Sequence, residues 1–260
     1  MPRSTYYRLR GGGDEADEAA DPLDEAVREE FERSGGRYGA RRIKRVLEKR
    51  GMVASRRRIR RSMRSQGLRS CHRRKSFRPH PGKTNEANLP NVLGREFDGH
   101  APHTHVCSDL TYVRVGASWL YVCLLIDLYN REIVGHAAGP RKDAGLVMAA
   151  FATVAFPLFD IDVFHTDRGP GSGDAAIDEM LEVFGAGRSL SKKGCPSGDA
   201  VDESTNKTLK VEFIYREEFS DLHDLQTRLT DYVWWYNNDR LHSTLNYMSP
   251  VEFRLAGLSL

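Results

Sequence analysis

The sequence has neither paired cysteines nor a long apolar run. Its four cysteines, Cys71, Cys107, Cys123 and Cys195, include no C-x-x-C pair. This absence argues against a zinc ribbon or a disulfide framework and fits a reducing cytoplasm. The longest apolar stretch, residues 144–156, is too short to span a bilayer, and the residues that follow the initial methionine are polar and charged. We therefore expect neither a membrane span nor a secretory leader.

Acidic residues are almost missing from one segment. Residues 37–80 contain 18 lysines and arginines but a single acid, Glu48, so this segment has a net charge of +17. Residues 81–260 have a net charge of −9, a contrast that the overall charge of +3 conceals. A basic segment joined to an acidic body suggests a polyanion partner for one part and different chemistry in the other.

The first 70 residues have the pattern of a small helical region. A helix is predicted to begin at Pro22 after Asp21, because an aspartate cap followed by proline favours a helix start. A second helix is predicted over residues 39–50, and a third is predicted to begin after the capping Ser55 and to stop at Gly67. Three short helices with a tight turn before the last are typical of a helix-turn-helix unit.

Outside its apolar stripe, the third helix is almost entirely arginine. Like charges three and four residues apart destabilise a helix unless a polyanion neutralises them. A solvated charged helix is the alternative, but this repulsion favours contact with nucleic acid. The arginines expected to bind DNA are Arg56, Arg57, Arg60, Arg61 and Arg64.

The remainder of the chain predicts a linker and an α/β domain. Residues 71–100 contain prolines without a clear period, which indicates a linker. Three β-rich runs then predict an antiparallel meander over residues 105–115, 118–128 and 131–138. The following elements are predicted to be helices at 144–156, 174–184, 199–213 and 221–238, with short strands at 161–165 and around residue 190. The expected fold class is α/β, a mixed five-stranded sheet flanked by helices, over residues 101–260.

Three acids stand at the ends or in the interior of predicted elements. Asp109 lies inside the first strand, where aspartate is depleted. Asp167 ends the fourth strand, and Glu203 lies in a helix. Taken alone, Asp167 can be a turn residue and Glu203 an ordinary surface residue. Asp127 is a rival strand acid that the pattern does not exclude.

The residues around these acids carry a family resemblance. The blocks S-D-L-T-Y, H-T-D-R-G and D-A-V-D-E-S-T-N-K-T-L-K-V-E, with 35 residues between Asp167 and Glu203, resemble the catalytic blocks of one transposase family. These are the OrfB-type transposases of the insertion-sequence-three family, in the retroviral-integrase-like superfamily. The closing Y-N-N-D-R-L-H-S-T-L-N-Y-M-S-P-V-E-F and the upstream R-S-T-Y-Y-R and Y-G-A-R-R-I-K-R-V-L resemble the same family. The resemblance covers nearly the whole chain.

The resemblance implies an RNase H-like core with a catalytic triad of Asp109, Asp167 and Glu203. Two like charges about 4 Å apart cost roughly 4 kcal/mol at an effective dielectric of about 20, so three gathered carboxylates need a cation among them. Oxygen ligands suit Mg²⁺ or Mn²⁺. A pair of such ions can activate a water or a 3′-hydroxyl for in-line displacement at phosphorus. The three acids are therefore the expected metal ligands, and the expected reaction is metal-dependent DNA cleavage and strand transfer.

Basic residues near the acids have two interpretations. Lys207 and Lys210 fall on a narrow stripe with Glu203 on a helix, where they can bind DNA phosphates or form ordinary surface pairs. Arg168 has the same two interpretations. His165 is expected to pack in the protein interior or to support a metal ligand. The run Trp234-Trp235-Tyr236 is expected to lie in the core rather than to stack on DNA bases. The closing-motif residues Arg240 and His242 are characteristic of the family but suggest no chemical step.

The loops that frame the site depart from the family pattern. Val106 replaces a tryptophan, and the residues around Pro170 and Pro196 also differ from the usual runs. A divergent enzyme and a decaying copy both fit, so the alternative function is an inactive DNA-binding remnant or regulator. A nuclease for RNA–DNA hybrids is a third hypothesis, against which the H-T-D-R-G and closing blocks argue.

The resemblance also implies partners. These are DNA, further copies of the chain in the DNA complex, and an upstream-frame partner or fusion that supplies another helix-turn-helix. The expected location is the bacterial cytoplasm, in association with the nucleoid.

Overall fold

The chain forms two units, Met1–Arg73 and Arg74–Leu260. The computed structural model describes residues 21–72, 93, 96–166, 175–190 and 200–260, apart from the side chains of residues 200 and 202. Most of the predicted linker, residues 71–100, lies outside this described part.

Three helices make up the described portion of the first unit. They are α1 (Pro22–Arg33), α2 (Ala40–Lys49) and α3 (Arg56–Ser65). Asp21 caps α1 by accepting a hydrogen bond from the Leu23 amide at 3.0 Å, and Ser55 caps α3 in the same way. The helix starts predicted at Pro22 and after Ser55 are confirmed. The buried aliphatic side chains that hold the three helices together are Leu23, Val27, Ile43, Leu47, Ile59 and Met63.

Five strands form one mixed sheet in the second unit. They are β1 (His105–Val115), β2 (Ser118–Asp127), β3 (Ile133–Gly139), β4 (Val163–Thr166) and β5 (Gly187–Leu190). Their order across the sheet is β3-β2-β1-β4-β5. The strands β1, β2 and β3 pair antiparallel, whereas β4 runs parallel to β1 and β5 parallel to β4. The predicted mixed five-stranded sheet is confirmed, with β1 at its centre.

Helices cover both faces of the sheet. They are α4 (Ala144–Phe151), α5 (Ala175–Phe184), α6 (Ala200–Leu209) and α7 (Leu222–Asn238). A further helix, α8 (Pro250–Leu255), packs against α7. Successive residues of a strand point to opposite faces, so Val106 of β1 packs with α4 and α5, and Cys107 lies in the core on the other face, together with residues of α6 and α7. None of the helices in the described ranges is long and apolar enough to cross a membrane.

Two helices end earlier than the sequence pattern predicts. The helix α4 stops at Phe151 instead of residue 156. Its last turn is closed by the Thr153 hydroxyl, which donates to the Ala150 carbonyl at 2.8 Å. The helix predicted over 199–213 ends as α6 at Leu209 and continues as one π-helical turn, Lys210–Ile214. Such turns are frequent at functional sites.

Candidate active site

Asp109 lies in the middle of the central strand. It is half-buried, and its side chain belongs to the same face of β1 as Cys107 and Val113, the face covered by α6 and α7. Its Oδ1 accepts a hydrogen bond from the following Leu110 amide at 2.7 Å. The strand therefore presents this carboxylate to the helix that carries Glu203.

Asn206 of α6 contacts Asp109 directly. Its side-chain Nδ2 donates to Asp109 Oδ2 at 2.6 Å. Only 4% of Asn206 is exposed, and its Oδ1 has no hydrogen-bond partner within the described part of the chain. Buried polar atoms are nearly always paired, so this amide oxygen can still accept a hydrogen bond from a water or bind a cation. Sequence reasoning missed Asn206, although its place three residues after Glu203 was a usable signal.

Glu203 and Lys207 lie on the exposed side of α6. Residues three and four apart are neighbours on a helix surface, so Glu203 adjoins both Asn206 and Lys207. The structure thus brings Asp109, Asn206 and the helix surface that carries Glu203 together.

Lys210 begins the π-helical turn and lies near the same carboxylate. Its Nζ lies 5.3 Å from the centroid of the Tyr112 ring, within the range of a cation–π contact. Burial lowers the pKa of Lys210, the negative charge of Asp109 opposes that shift, and the charge of Lys142 adds to it. The lysine is therefore a half-buried cation in the electrostatic reach of Asp109.

Asp167 and Arg168 lie outside the described residues. Strand β4 is described up to Thr166, which is the register partner of Ser108, the residue before Asp109. Parallel neighbouring strands reach the same sheet edge in step. The last described residue of β4 therefore lies beside Ser108, one residue before Asp109.

The rival strand acid, Asp127, has a structural role. It is fully buried, and its two carboxylate oxygens accept hydrogen bonds from the His103 and Tyr129 amides, each at 2.9 Å. Burial raises the pKa of Asp127, and these two amides oppose the shift. Its carboxylate organises the chain turns at the end of β2.

The other predicted residues have mixed outcomes. His165 is fully buried, with its Nδ1 at 2.8 Å from Ser189 Oγ, which agrees with a packing role. Tyr236 lies in the core, and the partly buried Trp235 packs against this core, as predicted. The prediction for Trp234 is wrong, because 61% of this side chain is exposed. The buried stripe of α7 passes through Leu229, Tyr232, Val233 and Tyr236 and leaves Trp234 on the outer surface.

The first unit presents the predicted arginine surface. An open depression of about 370 Å³ beside α3 is lined by Arg60, Arg64 and Arg69 over the apolar Met63 and Leu68. In contrast, Arg58 forms an ion pair with Asp21 at 2.8 Å. The arginines expected to bind DNA are all exposed: Arg56, Arg57, Arg60, Arg61 and Arg64.

Family models agree with this division into a helical unit and a sheet unit. A model described as an HTH-like domain matches residues 18–76. Two models described as integrase core domains match residues 99–196 and 203–258. One chain of the simian T-cell lymphotropic virus intasome structure, solved with the PP2A regulatory subunit B56 gamma, is similar with a TM-score of 0.50 and 13% identity. That match covers 81% of this chain and 69% of that one. The second unit has the fold of an integrase core, which is RNase H-like.

Curated relatives define the family. The transposase InsF for insertion sequence IS3A of Escherichia coli K12 is 32% identical over 243 residues, which are 91% of this chain and 83% of that protein. The probable transposase for insertion sequence element IS1353 of Shigella flexneri is 34% identical over 261 residues. That match spans 98% of this chain but only half of the Shigella protein. The chain belongs to the transposases of the IS3 family.

Proposed function

We propose that Asp109, Asp167 and Glu203 hold the divalent ions with which this transposase cleaves DNA and joins its ends. The observation that carries the proposal is the 2.6 Å contact from Asn206 to Asp109. It joins the glutamate helix α6 to the acid of the central strand, which is the juxtaposition that a shared metal centre needs.

The donor set suits a hard divalent cation. Asp109 and Glu203 supply carboxylate oxygens, and Asn206 supplies a buried amide oxygen that lacks a partner among the described side chains. Mg²⁺ and Mn²⁺ prefer such oxygen ligands. The described residues contain no group of three His, Cys, Asp or Glu side chains that could hold a metal. The third ligand of this proposal, Asp167, follows directly on the last described residue of β4.

The chain's own residues position these groups and the substrate. Two divalent ions bound there would activate a water or a 3′-hydroxyl and stabilise the leaving oxygen at phosphorus. The strand fixes Asp109, and Asn206 holds one of its carboxylate oxygens in a set orientation. Glu203 approaches from α6 and is exposed, so it can adjust to the ions and to the DNA.

Lysines beside the acids are proposed to hold the DNA backbone. Lys207 is exposed one turn from Glu203, and Lys210 lies over the Tyr112 ring within the influence of Asp109. Ammonium groups in this position can bind the phosphates next to the scissile bond. Arg168, which adjoins Asp167 in sequence, is proposed for the same role.

The arginines of α3 are proposed to bind DNA outside the catalytic unit. Their guanidinium groups are exposed on one short helix, and Arg60 and Arg64 line the depression next to it. Arginine binds phosphates in a bidentate manner, so this surface can hold a DNA segment. We also propose that several copies of the chain bind the DNA together, because two element ends must be cut and joined.

An additional DNA-binding region is proposed to act with this chain. The Shigella relative extends well beyond the region that it shares with this chain, which supports an upstream-frame partner or fusion. The proposed place of action is the bacterial cytoplasm, on nucleoid DNA.

The test is nicking and joining of DNA that carries the element ends, in Mg²⁺ and in Mn²⁺. Wild type is compared with Glu203→Gln and with Glu218→Gln, an exposed glutamate outside the proposed site. We expect Glu203→Gln to lose at least about 100-fold in rate with DNA binding retained, and Glu218→Gln to match wild type. Equal rates in all three would remove Glu203 from the mechanism. If the chain binds DNA without metal but never cleaves it, even after the upstream region is added, it is a DNA-binding remnant instead.

A further inference from the structure

A buried ion pair lies at the end of the glutamate helix. Glu212 is fully buried and Arg240 is 5% exposed. Arg240 Nε and Nη2 donate to Glu212 Oε2 and Oε1 at 2.7 and 2.9 Å, so the pair is bidentate. Arg240 Nη1 also lies 3.1–3.2 Å from the ring nitrogens of His242. Replacement of a buried ion pair by apolar side chains is often neutral or stabilising, so stability alone does not account for this arrangement.

The pair ties the closing motif to the catalytic helix. Glu212 lies in the π-helical turn Lys210–Ile214, which follows α6 without a break. Glu203, nine residues earlier, is exposed, whereas Glu212 is fully buried. Glu203 can therefore face the substrate while Glu212 faces the core.

A second contact ties the same motif to the middle of α6. The side chains of Tyr236 and Thr205 share a hydrogen bond, and Thr205 directly precedes Asn206 in the helix. The Tyr236 ring also lies 5.2 Å below the Arg240 guanidinium and meets His242 edge-on at 4.7 Å. Tyr236 thus contacts α6 at Thr205, and Arg240 contacts the π-helical turn that continues α6 at Glu212, seven residues further on.

We propose that Arg240 is a positioning residue, which works with Tyr236 to fix the rotation of α6 and thereby the aim of Glu203 and Asn206 at Asp109. Two anchor points on one helix determine both its rotation and its axial position. A helix rises 1.5 Å per residue and turns about 100°, so a small slip moves side chains by an ångström or more. A misplacement of about 1 Å at a reacting centre can lower a rate about 100-fold. This inference rests on the proposed metal chemistry of the same site.

The decisive variant replaces both members of the pair, Glu212→Met with Arg240→Met. Because the charges leave together, we expect the melting temperature to stay at or above that of wild type. We expect cleavage in Mg²⁺ to fall about 10- to 100-fold. The loss should be smaller in Mn²⁺, because Mg²⁺ demands the stricter coordination geometry. The affinity for DNA should not change. The matched control is Glu132→Met with Arg254→Met, an ion pair at 3.0 Å between α8 and the turn before β3.

Two readouts do not depend on cleavage. One is the Mn²⁺ affinity measured by electron paramagnetic resonance, and the other is amide hydrogen exchange in α6. We expect weaker Mn²⁺ binding and faster α6 exchange in the double variant but not in the control. The milder variants are Arg240→Lys, which keeps the charge but loses the bidentate contact with Glu212, and Tyr236→Phe, which loses the hydroxyl that contacts Thr205. Both should show the same changes to a smaller extent. They serve as the test if the double variant is unstable.

The outcomes separate this inference from the proposed function. The positioning role would be overturned if the folded variants match wild type in cleavage, in Mn²⁺ affinity and in α6 exchange. The proposed transposase chemistry would be unaffected by that result. If wild type does not cleave even after the upstream region is added, the proposed function fails, and α6 exchange still decides the positioning role. The positioning role would also be overturned if the cleavage rate falls equally in Mg²⁺ and Mn²⁺ while Mn²⁺ affinity and α6 exchange stay unchanged.

Discussion

The side-chain amide of Asn206 donates to a carboxylate oxygen of Asp109 at 2.6 Å, although 97 positions separate the two residues in the chain. This hydrogen bond joins α6 to the central strand. Because the side chain of Asn206 is uncharged, no carboxylate repulsion opposes this contact between the helix and the strand.

The first prediction concerns this contact. We expect Asn206→Asp to lower the nicking rate by at least about tenfold, because a second carboxylate would repel Asp109 where the amide now donates a hydrogen bond. The matched control is Asn238→Asp, a half-buried asparagine at the C-terminal end of α7. Rates are compared on the same end-containing DNA. An unaltered rate for Asn206→Asp would show that the contact is dispensable.

The second prediction concerns the pH dependence of DNA binding. Burial lowers the pKa of Lys210 below the ordinary lysine value of about 10.4. The charged form is the one that binds phosphate, so the contribution of Lys210 is present below its pKa and lost as pH rises through it. Lys210→Arg remains charged and should retain affinity at alkaline pH, whereas the exposed Lys207→Arg should leave the profile unchanged. Fluorescence anisotropy between about pH 7 and 10 measures this. Identical profiles for wild type and Lys210→Arg would argue against the contact.

The third prediction concerns the arginine helix. Arg61→Ala should weaken DNA binding and reduce the slope of log affinity against log salt by about one, because one fewer phosphate is neutralised. Arg58→Ala on the same helix should change less, since Arg58 is already paired with Asp21 at 2.8 Å. Titrations at several salt concentrations give both slopes. Equal slopes for Arg61→Ala and Arg58→Ala would show that Arg61 neutralises no more DNA phosphate than the paired Arg58 does.

The fourth prediction separates the two strand acids. Asp127→Asn should lower the free energy of unfolding by about 1–3 kcal/mol, because one buried amide loses its acceptor, while the folded protein retains its Mn²⁺ affinity. Asp109→Asn should have the opposite pattern, with stability preserved and Mn²⁺ binding lost. Urea denaturation and Mn²⁺ titration measure the two effects. Loss of Mn²⁺ binding in folded Asp127→Asn would return that acid to the list of ligands.

Local signals account for what could be predicted of the fold. The starts of α1 and α3 follow from the caps Asp21 and Ser55, which act within a single turn. The meander follows from alternating strands with Gly116 at the tight turn between β1 and β2, where its φ of 55° favours glycine. Such features depend on neighbours in sequence, so pattern reasoning identifies them.

The site could be predicted only in part, because its distinctions are tertiary. Asp109 and Asp127 both stand among apolar strand residues, and tertiary structure separates them. Asp109 is half-buried and accepts from Asn206 of a distant helix, whereas Asp127 is fully buried and accepts from two backbone amides. The resemblance named Asp109, but nothing local showed the burial of Glu212 or the π-helical turn that carries it. Trp234 was misplaced for the same reason, since the period of a helix does not show which neighbour covers which face.

The order of these contacts along the chain has a consequence for synthesis. The meander that holds Asp109 pairs neighbouring segments, whereas Asn206 must close a loop of 97 positions and Arg240 lies 28 positions beyond Glu212. Distant contacts form after local ones because they must first close long loops. A nascent chain that has been made as far as residue 239 would already contain the arginine helix and all three acids, but not Arg240, the residue that we propose positions α6. We expect such a ribosome-bound chain to bind DNA before it can cleave it, so that DNA cleavage begins only after synthesis has passed Arg240.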